Sequence, residues 1–206
     1  YFMNHFDQAA QEWDSNPIHW ERSEAIADKI RKRIKLQPDM IAMEYGAGTA
    51  ILSFLLKDEL QEIVLMDSSA EMVRVMGEKI EKEKVSHLKP LFFDLETTDY
   101  NLQKFDLIYT QMVLHHVADV KNILLKFYNL LFENGKIAIA DLYTEDGSFH
   151  GVNFGGHLGF DVDYLTKLMF DIGFKNVLFE KCFVVKKQTA SGKEKEFPLF
   201  LLTAQK

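Results

Sequence analysis

The sequence predicts an α/β fold, doubly wound around an open and mostly parallel sheet, on three observations. Apolar runs of strand length recur near 40–45, 62–67, 89–93, 105–110 and 136–142. Stretches of helical periodicity fall between or after most of them, at 50–57, 69–84 and 119–132. Late in the chain, two further apolar runs, 175–187 and 196–204, are separated only by the polar stretch Gln188 to Lys195, which contains Ser191-Gly192. Strands alternating with helices require crossovers and so pair in parallel, with helices on both faces. A short polar link can close only an antiparallel hairpin.

Each element has a local reason. The first 36 residues read as helical: an aromatic segment with Phe2, Phe6 and Trp13, then after Pro17 a longer helix to about Leu36. Pro38 breaks that pattern and releases the chain into the first strand. The basic cluster Arg31-Lys32-Arg33, with Lys29 and Lys35, shares this helix with Ile26, Ile30 and Ile34, and is expected to be its solvated face. The connection from Asp94 to Phe105 is too short and polar for a long helix and is expected to be a loop or a turn of helix. Asn134-Gly135 is the expected stop of the helix at 119–132. Five glycines with His150 and His157 make 143–160 a long loop, followed by a helix at 161–172 ended by Gly173.

Composition bounds the function. A chain of 206 residues with 47% hydrophobic content is long enough for one α/β domain with a substantial core. Its net charge of −7 argues against broad binding to nucleic acid, which needs a basic face. The single Cys182 excludes an intrachain disulfide and a cysteine-rich metal site; in its apolar run it reads as a small core residue. No apolar stretch reaches the roughly 18 residues of a membrane span, and no signal peptide is visible, so a cytoplasmic protein is expected. Tyr1-Phe2 precede Met3, as residues left by cloning would.

The chemistry concentrates at strand ends. Glu44-Tyr45-Gly46-Ala47-Gly48-Thr49-Ala50 joins the first strand to the first crossover helix. A glycine bend of this kind lets bare backbone approach a ligand. Asp67 ends the second apolar run, 21 residues after Gly46, a spacing suited to an acid that accepts from ribose hydroxyls. Asp94 ends the third, where it can accept from an adenine amino group with Leu95 beside the ring. Glu44 is placed to act near the ammonium of an amino-acid moiety. Ligands of open parallel sheets bind at the carboxyl ends of the strands, where Gly46, Asp67, Asp94 and Gln111-Met112 all fall. One glycine bend with two successive acids suits hydroxyls and an adenine ring better than a polyphosphate. The residues therefore read as a site for S-adenosyl-L-methionine.

Residues 40–142 resemble the class I S-adenosylmethionine-dependent methyltransferases, and within them the small-molecule group that includes quinone-biosynthesis enzymes. The motifs that carry the resemblance are Met43 to Ala50, Leu65 to Met72, Phe93-Asp94-Leu95 and Phe105 to Tyr109. Val113-Leu114-His115-His116-Val117 and Gly135 to Ile139 agree as well. The third glycine usual in the turn is Ala50 here. The resemblance implies a Rossmann-like seven-stranded sheet of order 3-2-1-4-5-7-6 with strand 7 antiparallel. It also implies a division into an N-terminal helical lid (1–36), a cofactor-binding core (40–142) and a late loop, helix and hairpin (143–206). Carried to matching positions, it gives Gly46 and Gly48 the methionine part of the donor, Asp67 the ribose, and Asp94 the adenine. Ser68 and Met72 line the adenosine pocket, and Gln111-Met112 lie near the sulfonium. Tyr45, Ala47 and Thr49 belong to the same binding turn. The product would be S-adenosyl-L-homocysteine.

A sulfonium methyl is already electrophilic, so the protein must align an acceptor and exclude water, with a base only where the acceptor loses a proton. Four histidines are expected near the mouth: His115, His116, His150 and His157. Packing at a helix start is the plainer reading of the pair His115-His116, while His116 or His157 is the candidate to orient or deprotonate an acceptor. Trp13 and Trp20 are candidates for the lid or for the core. Asp141, without second and third metal ligands at suitable positions in the sequence, reads as a surface or loop-capping acid, and no metal is expected. Phe149, Phe154 and Phe160 are candidates to line an apolar substrate pocket. A nicotinamide-dependent oxidoreductase is the nearest rival, but it wants a third glycine where Ile51 stands. A module that holds the cofactor without turnover is the other. Thr110-Gln111-Met112-Val113 is not the Asp/Asn-Pro-Pro-Tyr motif of enzymes acting on base or glutamine amino groups, so a small-molecule acceptor is expected.

Overall fold

The computed structural model describes residues 5–151, 154–189 and 192–206. Tyr1, Phe2 and Ser191, singled out above, lie outside them. Seven strands form one sheet in the order β3-β2-β1-β4-β5-β7-β6. They are β1 (Ile41–Tyr45), β2 (Glu62–Asp67), β3 (Leu88–Phe92), β4 (Phe105–Gln111), β5 (Leu131–Leu142), β6 (Lys175–Gln188) and β7 (Glu194–Gln205). The first five pair in parallel, and β7 enters antiparallel between β5 and β6. The expected order and the C-terminal hairpin are therefore both present.

Short helices α1 (His5–Ala9) and a 3-10 turn (Ala10–Ser15) lead into α2 (Pro17–Arg33), whose start Asn16 caps by accepting from the Ile18 amide at 3.2 Å. Helices α3 (Ile51–Leu56), α4 (Ala70–Glu83), α5 (Val120–Leu130) and α6 (Val162–Ile172) cover the sheet. Ser69, Asp119 and Asp161 cap the last three by accepting from orphan amides, the bonds a helix start otherwise lacks. One core packs α5 and α6 against Met43, Tyr45, Ile108 and Phe200 of the sheet. The other packs α2, α3 and α4 against the opposite face, through Ile26, Ile30, Leu52 and Met76. Each fully buried Leu or Ile contributes about 1.5–3 kcal/mol, which fixes the register of the strands.

One expectation needs correction. Helix α5 stops at Leu130, and β5 begins at Leu131 by pairing with Phe105. Asn134, at φ 67°, makes an irregularity within β5 rather than the helix stop, after which the ladder resumes at Lys136 opposite Leu107. The basic cluster is exposed, as expected, at Arg31, Lys32, Arg33 and Lys35, and several of its charges are paired across the surface. Lys29 and Arg33 both pair with Glu180 of β6, Arg33 at 2.6 Å, and Arg31 reaches Glu59 at 2.7 Å. Lys29 and Arg33 thus join α2 to β6 at the sheet edge. No helix among the described residues is long and apolar enough to cross a membrane.

Candidate active site

A cavity of about 980 Å³ opens where the strand order reverses between β1 and β4. The bend after β1 forms its floor. Gly46 and Gly48 have φ of +66° and +56°. A Cβ on Gly46 would meet Val113 Cγ2 at 2.4 Å, so that glycine is required by packing against the β4 loop. A Cβ on Gly48 would meet only Met72 Sδ, at 4.0 Å. Backbone there faces open space, as a cradle for a ligand would. Ala50, where a third glycine is usual, also takes a left-handed φ of 64° and is fully buried.

Asp67 faces this bend. Its Oδ2 accepts from the Gly48 amide at 2.7 Å and its Oδ1 from the Ser69 amide at 2.8 Å. Burial pushes its carboxyl pKa up, against the pull of those amides. Each oxygen keeps a lone pair for a further donor. Tyr45, Gly46, Ala47 and Gly48 border the cavity with Asp67, Ser68 and Met72. So do Asp94 and Leu95 beyond β3, and Gln111 and Met112 at the end of β4. Asp94 also closes its own turn, accepting from the Glu96 amide at 3.0 Å. The Gln111 amide is held by the Ser23 hydroxyl at 3.0 Å. Met112 adopts φ 57°, a left-handed conformation rare for its residue type, at the place assigned above to the sulfonium.

Glu44 and Thr49 are placed elsewhere. Glu44 is 0% exposed and outside the cavity wall, bonded to the Ser53 hydroxyl, which in turn lies 2.5 Å from the Tyr109 hydroxyl. Burial raises its pKa to about 8, and its Oε1 has no hydrogen-bond partner among the described residues. A direct contact of Glu44 with an ammonium in the cavity is therefore not what this geometry provides. Thr49 is buried and turned to Asp14, whose Oδ1 accepts from its hydroxyl at 2.5 Å while Lys79 holds Oδ2 at 2.8 Å. Thr49 thus fastens the N-terminal segment to the bend.

The far side of the cavity departs most from expectation. His157 does not border it: its amide donates to the His115 carbonyl at 2.7 Å, and its Nε2 lies 3.0 Å from the Val117 carbonyl. His157 anchors the late loop. His115, His116 and His150 do border the cavity. His116 meets Phe6 and Phe154 edge-on at 5.1 and 5.3 Å, and Phe154 stacks on His150 at 3.9 Å. Asp141 is no surface acid. It is 0% exposed and accepts from His115 Nδ1 at 2.6 Å and from the His115 and Leu142 amides. Phe149 and Phe154 line the cavity as expected, whereas Phe160 packs on Phe200. Of the two tryptophans only Trp13 lines it; Trp20 lies under Lys79.

Family comparison adds one decisive fact: a model described as a methyltransferase domain matches residues 36–157, more than half of the chain. The chain belongs to the methyltransferase-domain family. It is 29% identical over 119 residues to an uncharacterized methyltransferase of Schizosaccharomyces pombe, a match covering 54% of this chain and 42% of that protein. The match therefore covers less than half the length of that relative. Three solved structures share this chain's fold at 14% identity. They are a Haloferax volcanii putative methyltransferase in complex with the Trm112 activator (TM-score 0.77, 100% and 99% of the chains) and the YcgJ protein of Bacillus subtilis (0.74, 88% and 97%). The third is a Haemonchus contortus phosphoethanolamine N-methyltransferase in complex with S-adenosyl-L-methionine (0.72, 100% and 60%).

Two features of the cavity escaped the sequence reading. Arg22 borders it at 8% exposure, with Nε lacking a hydrogen-bond partner among the described residues. Burial lowers its pKa to about 10, with Asp141 opposing that shift. A signal was available, since Arg22 shares a helical stripe with Ile26 and Ile30. The second feature, Val185 to Gln188 of β6, carries no such signal: its approach depends on sheet order alone.

Proposed function

We propose that this methyltransferase moves the methyl group of S-adenosyl-L-methionine to a small-molecule acceptor by in-line displacement, leaving S-adenosyl-L-homocysteine. The observation that carries the reading is that the Gly46–Gly48 bend, Asp67, Asp94 and Gln111-Met112 border one cavity. The residues fit the donor: backbone at Gly48 is uncovered, and Asp67 has acceptor capacity left for ribose hydroxyls. Asp94 and Leu95 would take the adenine, Ser68 and Met72 the adenosine flank, and Tyr45 to Gly48 with Gln111-Met112 the methionine end. When bound, the donor supplies an electrophilic methyl group. The protein's own part is alignment and dryness. Phe6 and Trp13 from residues 1–36 wall the cavity as a lid, residues 40–142 hold the donor, and Phe149 and Phe154 from the later segment shape the acceptor side.

Those rings and the guanidinium of Arg22 favour an apolar or aromatic acceptor bearing a negative group, in keeping with the small-molecule, quinone-biosynthesis-like group. His116, on the cavity wall, orients it. His157 is withdrawn from that role by its two anchoring bonds. Calorimetry with S-adenosyl-L-methionine against NADH, followed by transfer of labelled methyl to a panel of phenolic and carboxylated acceptors, tests the proposal. Donor binding with transfer is expected. Absence of donor binding refutes it, and binding without transfer to any acceptor favours a module that holds the donor without turnover.

A further inference from the structure

The acceptor side of the cavity contains a feature that methyl transfer to a small molecule does not by itself require. His115, from the turn after β4, and His116 beside it meet His150 from the late loop. One ligand nitrogen from each lies within 4.8 Å of the others. His115 Nε2 and His150 Nε2 are 3.0 Å apart. Three imidazoles of graded burial, the first inside and the last at the surface, converge from two separate segments.

We propose that His115, His116 and His150 form a binding site for one divalent transition-metal ion, with zinc the best chemical match. Imidazole nitrogens bind zinc at about 2.0–2.1 Å, so nitrogens on one tetrahedral edge stand roughly 3.3 Å apart. The His115–His150 separation is already near that value. No pair of ligand nitrogens is separated by more than 4.8 Å, so closing the widest to a tetrahedral edge takes about 1.5 Å at most, within the reach of side-chain rotation. Asp141 supplies the second argument. Its carboxylate fixes the Nδ1–H of His115 at 2.6 Å, which turns the Nε2 lone pair toward His150. That carboxylate–histidine arrangement orients metal-binding histidines generally and raises their basicity. Asp141 is itself fixed by two backbone amides, so the orientation is built from buried parts.

Three protein ligands leave a fourth position open, as in zinc sites that take a substrate. Arg22 borders the same cavity and its charge has no hydrogen-bonded counter-ion at Nε. A divalent ion beside that guanidinium selects an anionic oxygen or sulfur donor at the open position. Assigning that donor to the methyl acceptor rests on the proposed function; the metal site does not.

The test is a titration of the untagged, chelator-treated full chain with cobalt(II) chloride and then zinc chloride, in the absence of methyl donor. The expected result is one ion per chain, with the intense visible absorption of tetrahedral cobalt, displaced by zinc. His150→Ala, at an exposed ring, and His115→Ala each abolish stoichiometric uptake. Asp141→Asn weakens it about 10- to 100-fold. A thermal shift with S-adenosyl-L-methionine, retained by His150→Ala, shows that this variant is folded. Wild-type chain that takes up no stoichiometric ion overturns the proposal, and so does uptake unchanged by His150→Ala. Loss of donor binding in the wild type would instead strike the proposed function while leaving the metal result intact.

Discussion

Glu44 offers the sharpest test of how burial governs this fold. Its carboxyl is fully enclosed between β1 and α3, one oxygen on Ser53 and the other without a partner among the described residues. Burial raises its pKa from 4.5 to about 8. A group whose folded pKa lies above its unfolded value binds a proton more tightly in the folded state. Its stabilising contribution is complete below about pH 4.5, falls as pH rises, and is lost above about 8. Across that window the slope approaches about −1.4 kcal/mol per pH unit, one full proton's worth. Glu44→Gln keeps the shape and removes the titration. Urea unfolding of both proteins at half-unit steps from pH 5 to 9 therefore has a defined outcome. The variant gains on the wild type as pH rises, and the difference levels off near the folded pKa. A difference independent of pH would refute the reasoning, because Glu44 would then titrate alike in both states.

Asp67→Ala removes a charged acceptor from the proposed donor site and frees the Gly48 and Ser69 amides. Donor affinity by calorimetry should fall about 10- to 100-fold, the equivalent of roughly 1.5–3 kcal/mol, and a change under twofold would exclude Asp67 from the ribose role. Arg22→Met removes a buried charge that is poorly compensated. Unfolding free energy should rise by about 1–3 kcal/mol while binding of anionic acceptors weakens, and a variant destabilised by denaturant melts would contradict that account. His157→Ala loses the bond to the Val117 carbonyl and should cost about 0.5–1.5 kcal/mol of thermal stability with turnover nearly unchanged. A hundredfold loss of kcat in the folded variant would return His157 to the chemistry.

The parts legible in the sequence are those set by local chemistry. The alternation of apolar runs and amphipathic stretches gave the parallel strands, and the short link after β6 gave the hairpin. Gly46, Gly48, Asp67 and Asp94 were legible because strand ends of an open sheet meet on one side. The binding turn was over-read at Glu44 and Thr49. Position in a motif does not say which way a side chain points, and alternation along β1 turns Glu44 toward α3. Asn134-Gly135 was misjudged because a left-handed residue such as Asn134 stops a helix or kinks a strand equally well.

What lay beyond the sequence is whatever two distant segments decide together. His115 beside Asp141 and His150, Arg22 against the same cavity, and β6 along its rim are contacts between residues far apart in the chain. Their energies depend on packing that no single stretch encodes. The sequence by itself determined the sheet, its hairpin and the glycine bend, because backbone propensity and hydrophobic period act over a few residues. Only the tertiary structure decided the histidine side of the cavity, where packing of the late loop against β4 and β5 brings charges and imidazoles within hydrogen-bonding distance.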